Sequence, residues 1–445
     1  MTSTVAFMGM RGNGDWATDE RPKSWRETIL YLYPNGMAPL TAMMSKMGEE
    51  KVTDPEFNWW TQKLPTQSGA ITGIFTDVLS TPYVSGGAAA ATLYVQMALA
   101  TIEEFRVGHQ ILLRCSTDTT LDVVAKVTAR TDNGASSYLT IKLLEADDNS
   151  TQSKTLANAD RILVIGNINE EGATMPNAIS YMPTKYSNYT QIFRTPLSIT
   201  RTARETRLRT GDQYKRMKKE ALEMHGIEME KSLIFSIPTE GTGDGGKPER
   251  TTAGLLYFLR THVPTNVSDF RINSTYSGKA WADADAGEAW FDTMYEQLFR
   301  YGRPERLAFC GSGALLGINQ LVRANSHFEL TTKTVSYGIK VTEWVTPFGT
   351  IYLKTHPLMS QESSTRYGML LMDAENLKYR YITDTTFYGM SQTGAQAPGG
   401  VATAGATYGA RKDGTDEEYL TEMGLELHHP DTFMYLDGVG CANAV

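Results

Sequence analysis

One helical pattern runs without a proline from Asp212 to Ser236, "DQYKRMKKEALEMHGIEMEKSLIFS", before Pro238 stops it. At ~1.5 Å per residue it predicts a rod of about 37 Å, which any fold of this chain has to accommodate. Thr210 with Gln213 offers a capping box, and Asp212 places a carboxylate in the first turn. Tyr214, Met217, Ala221 and Met224 recur at helical spacing, flanked by Leu222, Met229 and Leu233, and so predict the inward face. Arg216–Glu220 and Lys219–Glu223 stand four residues apart on the outward side.

The same region is the most one-sided in charge. Between residues 201 and 225, Arg201, Arg204, Arg207, Arg209, Lys215, Arg216, Lys218 and Lys219 face only Glu205, Asp212, Glu220 and Glu223, in a chain of net charge -8. A DNA-recognition helix would carry few interleaved acids. Here acids grow denser toward Glu223, Glu228 and Glu230, so the helix is basic at one end and acidic at the other. That polarity suits packing beside identical neighbours. Arg201, Arg204, Arg207, Arg209, Lys215 and Arg216 are therefore candidate subunit contacts, and a DNA-binding module centred on 201–219 is the weaker reading.

With 445 residues, 41% hydrophobic and 21% charged, the chain has room for two or three domains with ordinary cores. Net negative charge argues against a dedicated nucleic-acid binder. Cys115, Cys310 and Cys441 are too scattered for a disulfide framework or a zinc site, and fit a reducing compartment. The N-terminus lacks a signal-peptide core, and no apolar run reaches the ~18–20 residues that span a bilayer. A soluble protein made in a cytoplasm is expected.

Residues 1–65 read as an arm. Pro22, Pro34, Pro39, Pro55 and Pro65 punctuate short helical patches, one of them capped by Ser24 and Glu27 and stopped at Pro34-Asn35-Gly36. Trp25, Tyr31, Tyr33, Phe57, Trp59 and Trp60 need another surface to pack on, which makes Trp59 and Trp60 interface candidates. Residues 104–170 change to strand-length runs, "FRVGHQILLRC", "DVVAKVTAR", "SYLTIKLLE" and "DRILVIGNI". Asn133-Gly134 suits a tight hairpin between the middle two, and the whole predicts a small all-β insertion, sandwich or barrel-like. The polar, aromatic, proline-punctuated stretch from Glu170 to Thr200 predicts a long extended loop. Residues 252–380 alternate helix and strand patterns, among them a helix through Trp290, Phe291, Met294 and Leu298 closed by Gly302, the strand "RLAFC", the helix "GALLGINQLVRAN" and the hairpin "KVTEWVTPFGTIYLKTH". A Gly/Ala-rich loop and two strand-like runs, "GLELHH" and "TFMYLDG", close the chain.

Three patterns suggest chemistry, and each has a plainer explanation. Gly241–Lys247 satisfies GxxxxGK, but Pro248 replaces the Mg²⁺-binding hydroxyl and a helix precedes it where a strand is needed. Gly311, Gly313 and Gly317 form GxGxxxG, one residue too long for a dinucleotide fingerprint. His428, His429 and Asp431 put adjacent histidines on opposite strand faces, while His109, His225, His262, His327 and His356 lack metal-site spacing. No catalytic residue, metal site or cofactor is assigned. A soluble nucleotide-dependent enzyme using the 241–247 loop is the alternative function.

The order of parts resembles tailed-bacteriophage major capsid proteins of the Hong Kong 97-type α+β fold, in the branch with a small β insertion beside the extended loop. "YPNGMAPLTAMMSKM", "FNWWTQKLP", "FRVGHQILL", "NYTQIFRTPLSITRTARET", "EMEKSLIFS", "TTAGLLYFL" and "LELHHPDTFMYLDG" carry the resemblance across nearly the whole chain. It implies an N-terminal arm (1–65), the β insertion and extended loop (66–200), a peripheral domain with the spine helix (201–250), an axial domain (251–380) and a return to the peripheral domain (381–445). It implies self-assembly into pentamers and hexamers of a viral head, icosahedral or elongated, enclosing double-stranded DNA without sequence-specific binding. Scaffolding and portal proteins, a decoration protein and a virion location follow by the same route, with synthesis in a bacterial host cytoplasm. Met1 leads to the expectation of a separate scaffolding protein.

Overall fold

The computed structural model describes residues 48–443, apart from 119, 148–154, 173, 207–212, 284, 325–329, 335–339 and 390–413. The caps expected at Ser24 and Thr210, the first-turn Asp212, Arg207 and Arg209, and most of the Gly/Ala-rich loop lie outside the described residues. The fold mixes helices and strands. Two units divide the chain: Gln62–Thr184 is one, and the described residues on either side of it make the other.

The Gln62–Thr184 unit is built on an antiparallel seven-stranded sheet, ordered Ser68–Ala70, Arg161–Asn167, His109–Arg114, Asp122–Thr131, Tyr138–Leu143, Thr92–Gln96, Gly73–Phe75. Successive side chains of a strand point to opposite faces. Ile111, Leu113, Val123, Ala125, Val127, Leu139 and Ile141 therefore fall on one buried face, closed by Ile102, Phe105 and Leu156. The sheet begins before the expected 104–170 range, because its three earliest strands are too short for alternation to register. Its two edge strands are consecutive in the chain and joined by Ile71 and Thr72, whose amides donate to the Asp160 carbonyl at 2.8 Å and the Gln96 carbonyl at 2.9 Å. One kinked segment thus borders both edges, and the sheet curls around a single core in a barrel-like way. The expected Asn-Gly tight turn is also corrected. Thr131 pairs with Tyr138, and the connection contains a 3₁₀ turn, Gly134–Ser136. Ser137 Oγ accepts from the Asn133 amide and donates to the Gly134 carbonyl, a local alternative to the two-residue turn.

The second unit holds two larger sheets. Four strands run in the order Glu49–Lys51, Leu377–Gly389, Gly414–Leu427, Gln191–Thr200. The long helix, Gln213–Phe235, packs on this sheet through Ala221, Leu222, His225, Met229 and Leu233. Met224 is 57% exposed, so the inward stripe turns onto His225 instead. The ion pairs Arg216–Glu220 (3.2 Å) and Lys219–Glu223 (3.8 Å) form outside as spacing predicts. A mixed seven-stranded sheet is ordered Val267–Asp269, Met434–Asp437, Met369–Met372, Glu305–Cys310, Thr350–Thr355, Lys340–Val345, Leu330–Thr334. Helices Gly287–Leu298 and Ser312–Ala324 cover it, with Trp290, Phe291, Ile318 and Leu321 in its core.

Two expectations are overturned here. The stretch read as an extended loop to Thr200 is strand from Thr184 onward except at Thr190, and Gln191–Thr200 pairs along its whole length with residues 414–423. Pro196 disguised it, yet this strand lies at the sheet edge, where a missing amide is tolerated. The 381–445 range does not act as one block. Its long strand joins the four-stranded sheet, while Met434–Asp437 sits inside the mixed sheet between Val267–Asp269 and Met369–Met372.

Candidate assembly surfaces

The basic run occupies the turn from sheet edge to long helix. Strand Gln191–Thr200 ends at Thr200, whose Oγ1 caps the short helix Arg201–Glu205 by accepting from the Ala203 amide at 3.3 Å. Arg201 and Arg204 are exposed on that helix, and Lys215 and Arg216 are exposed on the long one. The Arg204 guanidinium lies 5.0 Å from the centre of the Tyr214 ring.

Acids of the same chain lie beside this surface and take neighbouring groups. Asp416, Glu417 and Glu418 stand opposite Ser198, Leu197 and Pro196 on the neighbouring strand. The Tyr214 hydroxyl donates to Glu417 at 2.5 Å, and Arg194 forks onto Glu418 at 2.9 and 2.6 Å. Lys218 places its ammonium 3.4 Å above the Phe387 ring. Burial lowers the Lys218 pKa, with Glu417 opposing the shift. Arg194, Tyr214 and Lys218, which border the basic run or lie within it, thus find partners within one copy.

The two tryptophan candidates separate. In strand Glu56–Thr61 the burial alternates, so Trp59 points into the core and Trp60 is 60% exposed. Trp59 stacks on Phe57 and Tyr186, and its indole N–H donates to the Leu427 carbonyl at 2.9 Å. Trp59 is spent on its own chain, which corrects its assignment to an interface. Trp60 remains available to a neighbour.

The motifs that suggested chemistry take structural roles. Gly241–Lys247 spans the turn of a hairpin between Thr239–Thr242 and Pro248–Thr251. A strand follows it where a phosphate loop requires a helix N-terminus. At Gly311 and Gly313, close packing explains the missing side chains. A Cβ at Gly311 would fall 2.2 Å from the Arg366 carbonyl oxygen, and one at Gly313 2.7 Å from the Tyr367 ring. The amides of Gly313 and Ala314 donate to Arg366, at 3.1 and 3.2 Å, so the helix start is occupied by backbone. His428 pairs with Glu426, which also holds Arg380, and His429 leaves the strand at φ 47.

Sequence reading missed the buried polar contacts of the long helix. His225 has Thr195 Oγ1 2.9 Å from Nδ1 and Thr421 Oγ1 2.7 Å from Nε2, and burial pushes its pKa down to about 4. One helical turn on, Glu230 Oε1 lies 2.9 Å from His356 Nε2, both side chains fully buried. These partners lie 30 to 196 residues apart, so no local pattern signals them. No cluster of metal-ligating side chains occurs among the described residues, and no described helix is long and apolar enough to cross a membrane.

The chain is 26% identical over 428 residues to the major capsid protein of Pseudomonas phage PaMx41, an alignment covering 94% of this chain and 92% of that one. Among solved structures, a chain of Mycobacterium phage Cain matches with TM-score 0.40 at 6% identity, covering 91% of this chain and 90% of its own. The holo-SrpI encapsulin complex from Synechococcus elongatus PCC 7942 matches with TM-score 0.38 at 11% identity, over 58% of this chain and 76% of that one. Residues 9–440 match the family described as SU10 major capsid protein. The chain belongs to that family and is a phage major capsid protein of mixed α and β fold.

Proposed function

We propose that this capsid protein assembles with copies of itself into the pentamers and hexamers of a Hong Kong 97-type head around double-stranded DNA. The observation that carries the reading is the extended run at residues 168–183. It has no regular secondary structure in its described part, and Met175 and Met182 are 91% and 90% exposed. Covering each on a neighbour would contribute roughly 1.5–3 kcal/mol. In this reading the residues before Phe57 act across an adjacent copy, 66–183 supply the β insertion and the reaching loop, 201–250 carry the spine helix of a peripheral domain, and 251–380 form an axial domain. Residues 381–445 return to the peripheral part as far as Leu427. Scaffolding and portal proteins serve assembly, a decoration protein covers the finished head, and the bacterial host cytoplasm is where the chain is made. Net charge of -8 supports a shell that holds its genome without gripping it.

Size-exclusion chromatography with negative-stain electron microscopy of the full chain tests this. Closed shells, rings or tubes are expected. A chain that stays monomeric at high concentration, with and without its scaffold, overturns it.

A further inference from the structure

The outward face of the seven-stranded sheet in the Gln62–Thr184 unit is mostly polar, carrying Gln110, Arg114, Asp122 and Thr140, but an apolar row interrupts it. Leu163, Leu112 and Val124 are direct cross-strand neighbours on it, making an apolar row across three strands, with Leu163 38% exposed. Ile165, 46% exposed, adds to the same strand. Beside that row, Lys126 and Lys142 stand directly opposite each other. Like charges at a cross-strand position destabilise the pair, and neither lysine has a carboxylate partner among the described residues. An apolar row flanked by two opposed ammonium groups fits a partner that brings apolar side chains and acids together.

The chain carries such a segment. Glu170 and Glu171 are exposed at the start of the extended run that displays Met175 and Met182. Acids followed by flexible, polarizable apolar side chains complement lysines beside a leucine and valine row. We propose that the outward face of this sheet is a contact between copies, in which Lys126 and Lys142 of one copy receive Glu170 and Glu171 of another. Met175 and Met182 then cover Leu112, Val124 and Leu163. This rests on the self-assembly reading above and specifies the surface that receives the loop.

Charge exchange in the full chain tests it. Lys126→Glu with Lys142→Glu should lower the assembled fraction by roughly tenfold or more through like-charge contact. Glu170→Lys with Glu171→Lys should do the same, and combining the four substitutions should restore assembly. Circular dichroism and thermal unfolding of each variant separate loss of assembly from loss of fold. Should the lysine pair prove necessary for folding, Lys126→Gln with Lys142→Gln removes the attraction without adding repulsion, and shells should then form only at higher protein concentration. Reversed variants that assemble normally, or a fourfold variant that stays unassembled while folded, overturn the contact. A wild-type chain that never assembles overturns the function itself, which is a different result from a wild type that assembles regardless of these charges.

Discussion

His225 shows how far one residue's behaviour depends on what the fold puts around it. In the sequence it is a polar break in a helical stripe. In the structure it is 1% exposed, hydrogen-bonded to threonines of two strands, and flanked by the rings of Phe193 and Tyr419. Its pKa of about 4 against 6.5 for the free side chain means the fold favours the neutral ring. Stability from this site is therefore complete above pH 6.5, falls as pH drops from there toward 4, and is lost below. The full effect is roughly 3 kcal/mol. Urea midpoints at pH 7 and pH 4 should show a smaller drop for His225→Gln than for the wild type. Trp59 and Trp60 make the same point with one residue type. Trp59→Ala should cost about 3–5 kcal/mol of folding stability, whereas Trp60→Ala should stay within about 0.5 kcal/mol, both by denaturant titration.

At the scale of elements, those with long, uninterrupted periodicity were legible and those set by distant pairing were not. The long helix, predicted as Asp212–Ser236, is described as Gln213–Phe235, and "RLAFC" is the strand Glu305–Cys310. The edge strand Gln191–Thr200 was hidden because Pro196 reads as a break unless the strand's position at the sheet edge is known. The glycines of the 311–317 stretch suggested a ligand loop, yet Gly317 is there because Gly440 packs against it. A Cβ at Gly317 would lie 2.5 Å from the Gly440 Cα. Gly317→Ala should destabilise by about 1–3 kcal/mol in thermal unfolding, with no protection from added nucleotide. The expected arm of residues 1–65 overlaps the core of the chain at Phe57 and Trp59. Removal of residues 1–65 should therefore cost at least about 3–5 kcal/mol more than removal of 1–47. Thermal melts of the two truncations measure the difference.

For the whole molecule, the proposed assembly falls to surfaces that one copy leaves exposed. Beside the basic junction at Arg201, Arg204, Lys215 and Arg216, Glu417 takes the Tyr214 hydroxyl and Glu418 takes Arg194, so acids of the same chain already lie next to the surface proposed to meet a neighbour. Reversing Arg201 and Arg204 to Glu should weaken assembly while leaving the folded body intact. Particles of wild-type yield and size, counted by electron microscopy, would show that these arginines are not subunit contacts. Lys247→Ala, in the hairpin turn, should change neither folding nor assembly. A lost phosphate-analogue affinity in that variant would reopen the nucleotide reading.

By itself the sequence determined the long helix, the strand-rich insertion, the mixed α and β class and, through wording spread along the chain, a resemblance to major capsid proteins. Those properties are written in local periodicity or in residue order, which need no knowledge of what lies opposite. The tertiary structure alone decided that Trp59 is core and Trp60 surface, that the glycines are packing sites, and that His225 and Glu230 find partners up to 196 residues away. It also decided that Lys126 faces Lys142. Strand order and register bring such residues together, and those depend on pairings between distant segments that no window along the chain contains.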